Sequence, residues 1–296
     1  MLSIIITSFN EPKTIGKAIE QILKNKIKEK FEIIVCAPDK ETLDVARKYN
    51  KKHKEIKIFR DPGKGKSYAL NLLLPKIKGD IIILTDGDVY VHKNSINEIL
   101  RCFKDPKVGV VTGRPVSLNP RNNLFGYWSH LLFDAGAHEV RLRRAKKNQF
   151  LECSGYLWAF RNNVIKKFPR DISEDTVVPV MFWNLGYKIA YAQKALVFVK
   201  NPTNLSDFIK QKKRNIKGHQ SLNKYKEFKK VPRMKTLKTE VLESWNLFLY
   251  PKNFKELIWT LMLIPLRLYI WMLTFFHLKI KKDLYKDGWE RIESTK

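Results

Sequence analysis

Cysteine is scarce in this chain of 296 residues, and the three present, Cys36, Cys102 and Cys153, are widely separated. Such a set supplies neither a disulfide framework nor a metal-type pair, and it fits a reducing compartment. Carboxylates are few beside cations: 29 Asp and Glu stand against 57 Lys and Arg, a formal charge of +28. That imbalance excludes an acidic solvating protein and calls for a polyanionic partner, whether nucleic acid, an anionic membrane face or a phosphorylated substrate. Lysine outnumbers arginine by 43 to 14, which favours diffuse attraction over bidentate reading of bases. No internal repeat or low-complexity tract is present, and no basic residue precedes the apolar run Leu2 to Ile6, so an export signal is not expected. Two glycine signatures are also missing. Gly63-Lys64-Gly65-Lys66-Ser67 ends like a phosphate loop, but the first glycine of that pattern would fall at Arg60, and a G-x-G-x-x-G fingerprint fails at Tyr68.

Apolar residues make up 44% of the chain, enough to bury a core. Short, nearly continuous apolar runs occur at Ile4 to Ile6, Ile33 to Cys36, Ile81 to Leu84 and Val108 to Val111, with a weaker alternating one at Ile56 to Phe59. Runs of this kind read as strands covered on both faces. Between the first two, Ile15, Ala18, Ile19, Ile22 and Leu23 recur at helical spacing, with Pro12 suited to a first turn. Further on, Leu151 to Phe160 and Tyr187 to Val199 return to strand texture, and a short amphipathic helix is expected after Ser173, with Val177, Val180, Met181 and Leu185 on one face. The predicted class is α/β, a mostly parallel twisted sheet with helices on both faces. Polar and acidic residues follow the strands, at Thr7-Ser8, Asp39, Asp61 and Asp86-Gly87-Asp88. They gather at the C-terminal edge of the sheet, where ligands bind in open α/β folds.

Residues 201–238 carry twelve Lys or Arg against Asp207 and Glu227. Next comes Leu257 to Phe276, apolar except at Thr260, Pro265, Arg267 and Thr274, and long enough for a membrane span. Pro265 and Arg267 near its middle predict a break into two arms of about ten residues, lying in the interface or re-entering it. The division expected is a catalytic domain over residues 1–230 and an amphipathic, membrane-associated helical region over 231–296.

Several residues carry candidate chemistry. Asp86-Gly87-Asp88 places two carboxylates around a glycine after a buried strand, a pattern that holds a hard divalent cation beside a phosphate; a simple strand-ending turn is the alternative. Glu174-Asp175 stands at a helix start with Ser173 as the candidate cap, and serves either the helix dipole or general-base catalysis toward an alcohol. Gln211 and Arg214, three residues apart, share a face if the segment is helical. Lys64 and Lys66 are placed to approach an anionic ligand.

Taken in order, Thr7-Ser8, Asp39, Lys66, Asp86-Gly87-Asp88, Ser154-Gly155, Glu174-Asp175 and Gln211-x-x-Arg214 with Gly218 resemble the inverting, nucleotide-sugar-dependent glycosyltransferases of family 2, with the GT-A fold, in particular the cellulose- and hyaluronan-synthase-like branch. The resemblance spans roughly residues 1–222. It implies that Thr7 and Asp39 contact the nucleoside, that Asp86 lies near ribose or phosphate and Asp88 on the metal, and that Asp175 is the general base with Glu174 beside it. It implies further that Gln211 and Arg214 lie near the diphosphate and acceptor. Asn215 stands where the family's Q-x-x-R-W motif has Trp, a departure that bears on processive synthesis. By the same resemblance the donor is a UDP-sugar, the cofactor Mg²⁺ or Mn²⁺, and the acceptor a glycan or a lipid-linked molecule. The chain is then expected at the cell membrane, against an anionic leaflet, with its catalytic domain on the cytoplasmic side.

Two other readings compete. A basic nucleic-acid-binding protein would need a recognition module with aromatics interleaved among cations; the sequence contains none, and that reading leaves the acidic sheet edge unexplained, so no nucleic-acid partner is expected. An inactive scaffold of the same fold would have no need of the carboxylates that the sequence retains.

Overall fold

The computed structural model describes residues 1–228, 230–243, 245–282, 285–288 and 292–295. Lys229 of the basic tract, and positions 244, 283, 284, 289–291 and 296 of the C-terminal region, lie outside the described residues.

Apolar runs without alternation need cover on both faces, and here they have it. Strands β1 (Leu2–Thr7), β2 (Phe31–Ala37), β3 (Ile56–Arg60) and β4 (Ile81–Asp86) form a parallel half-sheet in the order β3-β2-β1-β4. Ile4, Ile6, Ile33, Val35 and Ile83 point to one side, where they pack with residues of α1 (Ile15–Leu23), α2 (Lys40–Asn50) and α4 (Ser95–Cys102). Ile5, Ile34, Ile82 and Leu84 point to the other, against α3 (Lys66–Leu73) and α7 (Glu174–Asn184).

The sheet continues with β5 (Tyr90–Val91), β6 (Val108–Ser117), β7 (Leu157–Arg161) and β8 (Lys188–Val199), giving eight strands in the order β3-β2-β1-β4-β7-β6-β8-β5. β6 and β8 are parallel, whereas β7 runs antiparallel to both β4 and β6, so the second half of the sheet is mixed. The strand expected from Leu151 begins only at Leu157, because residues 151–156 form the loop that brings Ser154, Gly155 and Tyr156 to the site. Pro12 lies in a turn before α1, whose first residue is Ile15, not in the helix itself. The amphipathic face expected on α7 is absent: Val177, Val178, Pro179, Val180 and Phe182 are all buried, and Leu185 beyond its end is 60% exposed. This helix fills the core between the sheet and the segment carrying Leu222, Phe228 and Val231, so it has no broad solvated stripe.

A third apolar cluster joins α5 (Leu124–Phe133), α8 (Leu205–Gln220) and α11 (Phe254–Lys279) through Tyr127, Trp128, Leu131, Phe208, Ile216, Leu263, Ile270 and Trp271. Helix α6 (Glu139–Lys146) and the short helices α9 (Leu237–Glu243) and α10 (Trp245–Phe248) complete this side. Arg121 fastens the start of α11, donating to both carboxylate oxygens of Glu256 at 2.8 Å and stacking 4.4 Å from the Tyr250 ring. The break expected at Pro265 does not occur, and the helix runs through it for 26 residues, about 39 Å at 1.5 Å per residue. Its missing N–H removes one hydrogen bond, but packing on α5 and α8 holds both halves in line. The charge of Arg267 is met by Glu240 of α9, at 2.6 and 2.8 Å. α11 is long and apolar enough to cross a membrane, and its outward face presents Ile258, Leu261, Met262, Leu268, Tyr269, Met272 and Phe276.

Candidate active site

Parallel pairing sets the first pieces of the site. Thr7 and Asp86 are the last residues of β1 and β4 and face each other in register. The Thr7 hydroxyl donates to Asp86 Oδ1 at 3.0 Å. Gly87 then turns the chain outward, and its value is space: a Cβ here would lie 2.4 Å from Ser8 Oγ and 2.7 Å from Glu11 Oε2, two atoms bonded to each other at 2.6 Å. Asp88 follows at the rim.

Lys66, the first residue of α3, reaches across to Asp86 Oδ1 and Glu174 Oε1, each at 2.8 Å. Burial by itself would depress this ammonium, but the Asp86 and Glu174 carboxylates outweigh it and hold the pKa above the usual lysine range. The lysine expected to meet a ligand is thus already paired and acts as a brace between the acid that ends β4 and the acid that opens α7. Burial pushes the Glu174 carboxyl up, opposed by Lys66 and reinforced by adjacent Asp175. Glu174 and Asp175 open α7, as expected, but Ser173 does not cap it with its side chain. Its hydroxyl bonds instead to Thr176 Oγ1 at 2.7 Å, while the first-turn carboxylates serve the dipole.

Asp175 approaches the β6–β7 side of the cleft because Gly155 has no side chain: a Cβ there would sit 3.1 Å from Asp175 Oδ2. Gly155→Ala therefore displaces the carboxylate by a few tenths of an ångström. The expected result is a kcat lowered by about 10-fold or more with melting temperature little changed, read by steady-state kinetics beside a thermal melt. Gly218 has the same function on α8, where a Cβ would meet Ser173 Oγ at 3.0 Å.

Thr7, Lys66, Asp86, Asp88, Glu174, Asp175, Gln211 and Arg214 all line one cavity of about 460 Å³. Asp39 does not line it. Its carboxylate caps α2 through Thr42 N at 2.9 Å and accepts from Asn10 N at 2.7 Å. Burial opposes ionisation here, but these bonds hold the carboxyl below its usual range. Asp39 thus fixes the loop after β1 beside the cleft.

Other lining residues carried no sequence signal. The Tyr156 phenol is pushed up by burial and by nearby Asp88, Asp86 and Asp175, with Arg214 opposing, so it lies among the acids and the cation the motifs nominate. From the C-terminal end, Tyr285 lies 3.5 Å from where a Gly218 Cβ would be, and Asp287 accepts from Ser67 N and Tyr68 N at 3.1 Å at the start of α3. Gly65 adopts φ +110° next to it, a conformation that favours glycine. The far half of the cavity is basic, with Arg141, Lys212, Lys235 and Arg267 beside Glu240 and Glu243. Burial, helped by Arg267 and Lys235, pushes Lys212 down to about 7.

For a cation, the candidate donors are Asp88 and Asp86; among the described residues no cluster of three or more His, Cys, Asp or Glu forms a complete cage. Two carboxylates suit an ion that takes its remaining ligands from a substrate phosphate and water.

Residues 1–218 match the family model described as glycosyltransferase like family 2. Among curated proteins, the chain is 26% identical over 231 residues to the probable glycosyltransferase YdaM of Bacillus subtilis (strain 168), covering 74% of this chain and 55% of that one. It is 24% identical over 224 residues to the poly-beta-1,6-N-acetyl-D-glucosamine synthase of Staphylococcus aureus (strain COL), covering 73% and 54%. The chain therefore spans about half the length of the curated relatives it matches. Among solved structures, it is similar to the mannosyltransferase PcManGT from Pyrobaculum calidifontis in complex with GDP-Man and Mn²⁺, with TM-score 0.62, 16% identity, and 95% and 81% of the two chains covered. It is also similar to S. aureus TarS 1-349 in complex with UDP-GlcNAc, with TM-score 0.51, 17% identity, and coverage of 84% and 71%. The fold is GT-A-like.

Proposed function

Because the chain belongs to the glycosyltransferase like family 2, we propose that it transfers a sugar, with inversion, from a nucleoside-diphosphate sugar to an acceptor hydroxyl at a membrane, with a UDP-sugar as the first donor to test. One observation carries the reading: Asp86, Asp88, Asp175, Gln211 and Arg214, far apart in the chain, line the same cavity. Relatives point the same way, since one solved neighbour holds UDP-GlcNAc and another GDP-Man with Mn²⁺.

In this mechanism Asp175 accepts the proton of the acceptor hydroxyl as its oxygen attacks the anomeric carbon. The carbon–oxygen bond to the diphosphate breaks on the opposite face, and its electron pair leaves with the nucleotide. Arg214, on α8, faces the charge that gathers there, and Gln211 adds a polar contact. Lys66 keeps Asp86 and Glu174 in place, leaving Asp175 as the base. Asp88, aided by Asp86, would hold Mg²⁺ or Mn²⁺, which when bound neutralises diphosphate charge. The apolar outer face of α11, flanked by the basic tract, supports seating on an anionic leaflet, where each cation near the surface contributes about 1 kcal/mol.

The test is a panel of UDP- and GDP-sugars given to the full chain in detergent with Mg²⁺ or Mn²⁺, read by nucleoside diphosphate release. Metal-dependent release from at least one donor, lost on Asp88→Asn, is the expected result. No release from any donor with either ion overturns the proposal in favour of an inert scaffold.

A further inference from the structure

The cavity is divided by charge. Its wall at the end of β4 and the start of α7 is acidic, with Asp86, Asp88, Glu174 and Asp175. Its opposite wall, built from α6, α8, α11 and the segment before α9, presents Arg141, Lys212, Lys235 and Arg267. Neighbouring carboxylates meet only part of this positive charge. Arg267 is held by Glu240, and Lys235 lies 4.0 Å from buried Glu152. Arg141 and Lys212 have no carboxylate at ion-pair distance among the described residues. Arg141 is 2% exposed; its Nε donates to the Glu152 carbonyl at 3.1 Å, and its buried Nη1 makes no hydrogen bond among the described residues. Lys212 Nζ lies over the face of the Phe208 ring, 5.2 Å away, and Glu240 acts on its charge from beyond ion-pair distance. One guanidinium nitrogen of Arg267, Nη1, is likewise buried without a hydrogen bond among the described residues. A desolvated cation without an acceptor is costly unless a ligand supplies one.

Building on the reading of this cavity as a sugar-transfer site, we propose that the basic half binds a phosphate group on the acceptor, held by Arg141 and Lys212 with Lys235 and Arg267 around it. In the proposed mechanism the donor's diphosphate has its own partners, Arg214 and Asp88. Lys235 links the two halves, since both Arg141 and Asp175 act on its charge. An acceptor anchored there presents its hydroxyl toward Asp175. Trp271 and Leu247 line the same half, and Trp271 belongs to α11, the helix with the apolar outer face. The phosphate is therefore expected to sit between a sugar and a lipid chain, as a phosphodiester or diphosphate.

The experiment measures equilibrium binding to the full chain in neutral detergent, with UDP and Mn²⁺ saturating so that the donor half is occupied. Three probes are compared: N-acetylglucosamine joined to a decyl chain through a diphosphate, the decyl glycoside without phosphate, and soluble N-acetylglucosamine 1-phosphate. The diphosphate-linked lipid is expected to bind about 10-fold tighter than the neutral glycoside, a difference typical of charge-assisted recognition. Tighter binding by the soluble sugar phosphate than by the lipid would keep the phosphate site and assign it to a water-soluble acceptor. Lys212→Gln is expected to remove most of the preference, and Lys212→Arg to retain it, which separates lost charge from misfolding. Equal affinity for charged and neutral probes, absence of binding by either phosphorylated probe, or competition with UDP overturns the inference. Phosphate-dependent binding in a chain that neither binds UDP with Mn²⁺ nor turns over any donor would instead overturn the sugar-transfer reading alone.

Discussion

Asp175→Asn is expected to lower sugar transfer by about 10²–10⁴-fold, the range for losing a positioned general base. The substitution keeps the size and hydrogen-bonding outline of the side chain, so the contact with Gly155 and the start of α7 are preserved. An amide cannot accept the acceptor proton, however, and the attacking oxygen then remains a neutral, weak nucleophile. Donor binding does not pass through this carboxylate in the mechanism, so the KM for the donor should stay within about threefold while kcat collapses. Transfer at the wild-type rate would remove Asp175 from the chemistry and revive Glu174. The Lys66 contact makes that reversal physically difficult, since Glu174 is buried and already ion-paired.

The second large effect concerns stability. Lys66→Met removes the cation that, among the described residues, is bonded to both Asp86 and Glu174. Breaking a buried pair by deleting one partner costs about 3–5 kcal/mol, because the remaining charge stays in a poorly solvated place. The deficit should depend on pH with a defined sign. Burial raises the Glu174 carboxyl above its ordinary range, so without Lys66 the folded state takes up a proton more readily than the unfolded one. The deficit relative to wild type is then smallest in acid and grows as pH rises through the raised Glu174 pKa. Chemical denaturation at mildly acidic and at alkaline pH measures this. The double variant Lys66→Met/Glu174→Gln should recover most of the loss; a deficit unchanged by the second substitution would mean that Lys66 acts through packing.

Much of the fold was legible because local pattern and tertiary setting agree. Ile4 to Ile6, Ile33 to Cys36 and Ile81 to Leu84 are apolar without alternation because helices cover both faces, and they became β1, β2 and β4. The strand-end acids were readable for the same reason, since parallel register forces Thr7 and Asp86 side by side. Tertiary packing decided the rest. Most of α7 is buried, so the stripe read over Val177, Val180 and Met181 has no polar face opposite it. Pro265 did not interrupt α11, because neighbouring helices support both of its halves and Glu240 neutralises Arg267. The direction of β7 was hidden because buried parallel and antiparallel strands share one texture. Asp287 reaches α3 across 220 positions, and Arg141 and Lys212 look like ordinary surface cations in so basic a chain. Only three-dimensional placement distinguishes them.

Asp88 and Asp175 are proposed to serve one transfer in different ways, the first through a metal on the donor diphosphate and the second through the proton of the acceptor hydroxyl. Calorimetric titration of UDP into the full chain, with Mn²⁺ and then with chelator, tests it most directly when repeated on both variants. The expected result is Mn²⁺-dependent binding that is lost in Asp88→Asn and kept in Asp175→Asn. Equal UDP affinity with and without Mn²⁺, unchanged by Asp88→Asn, would contradict it.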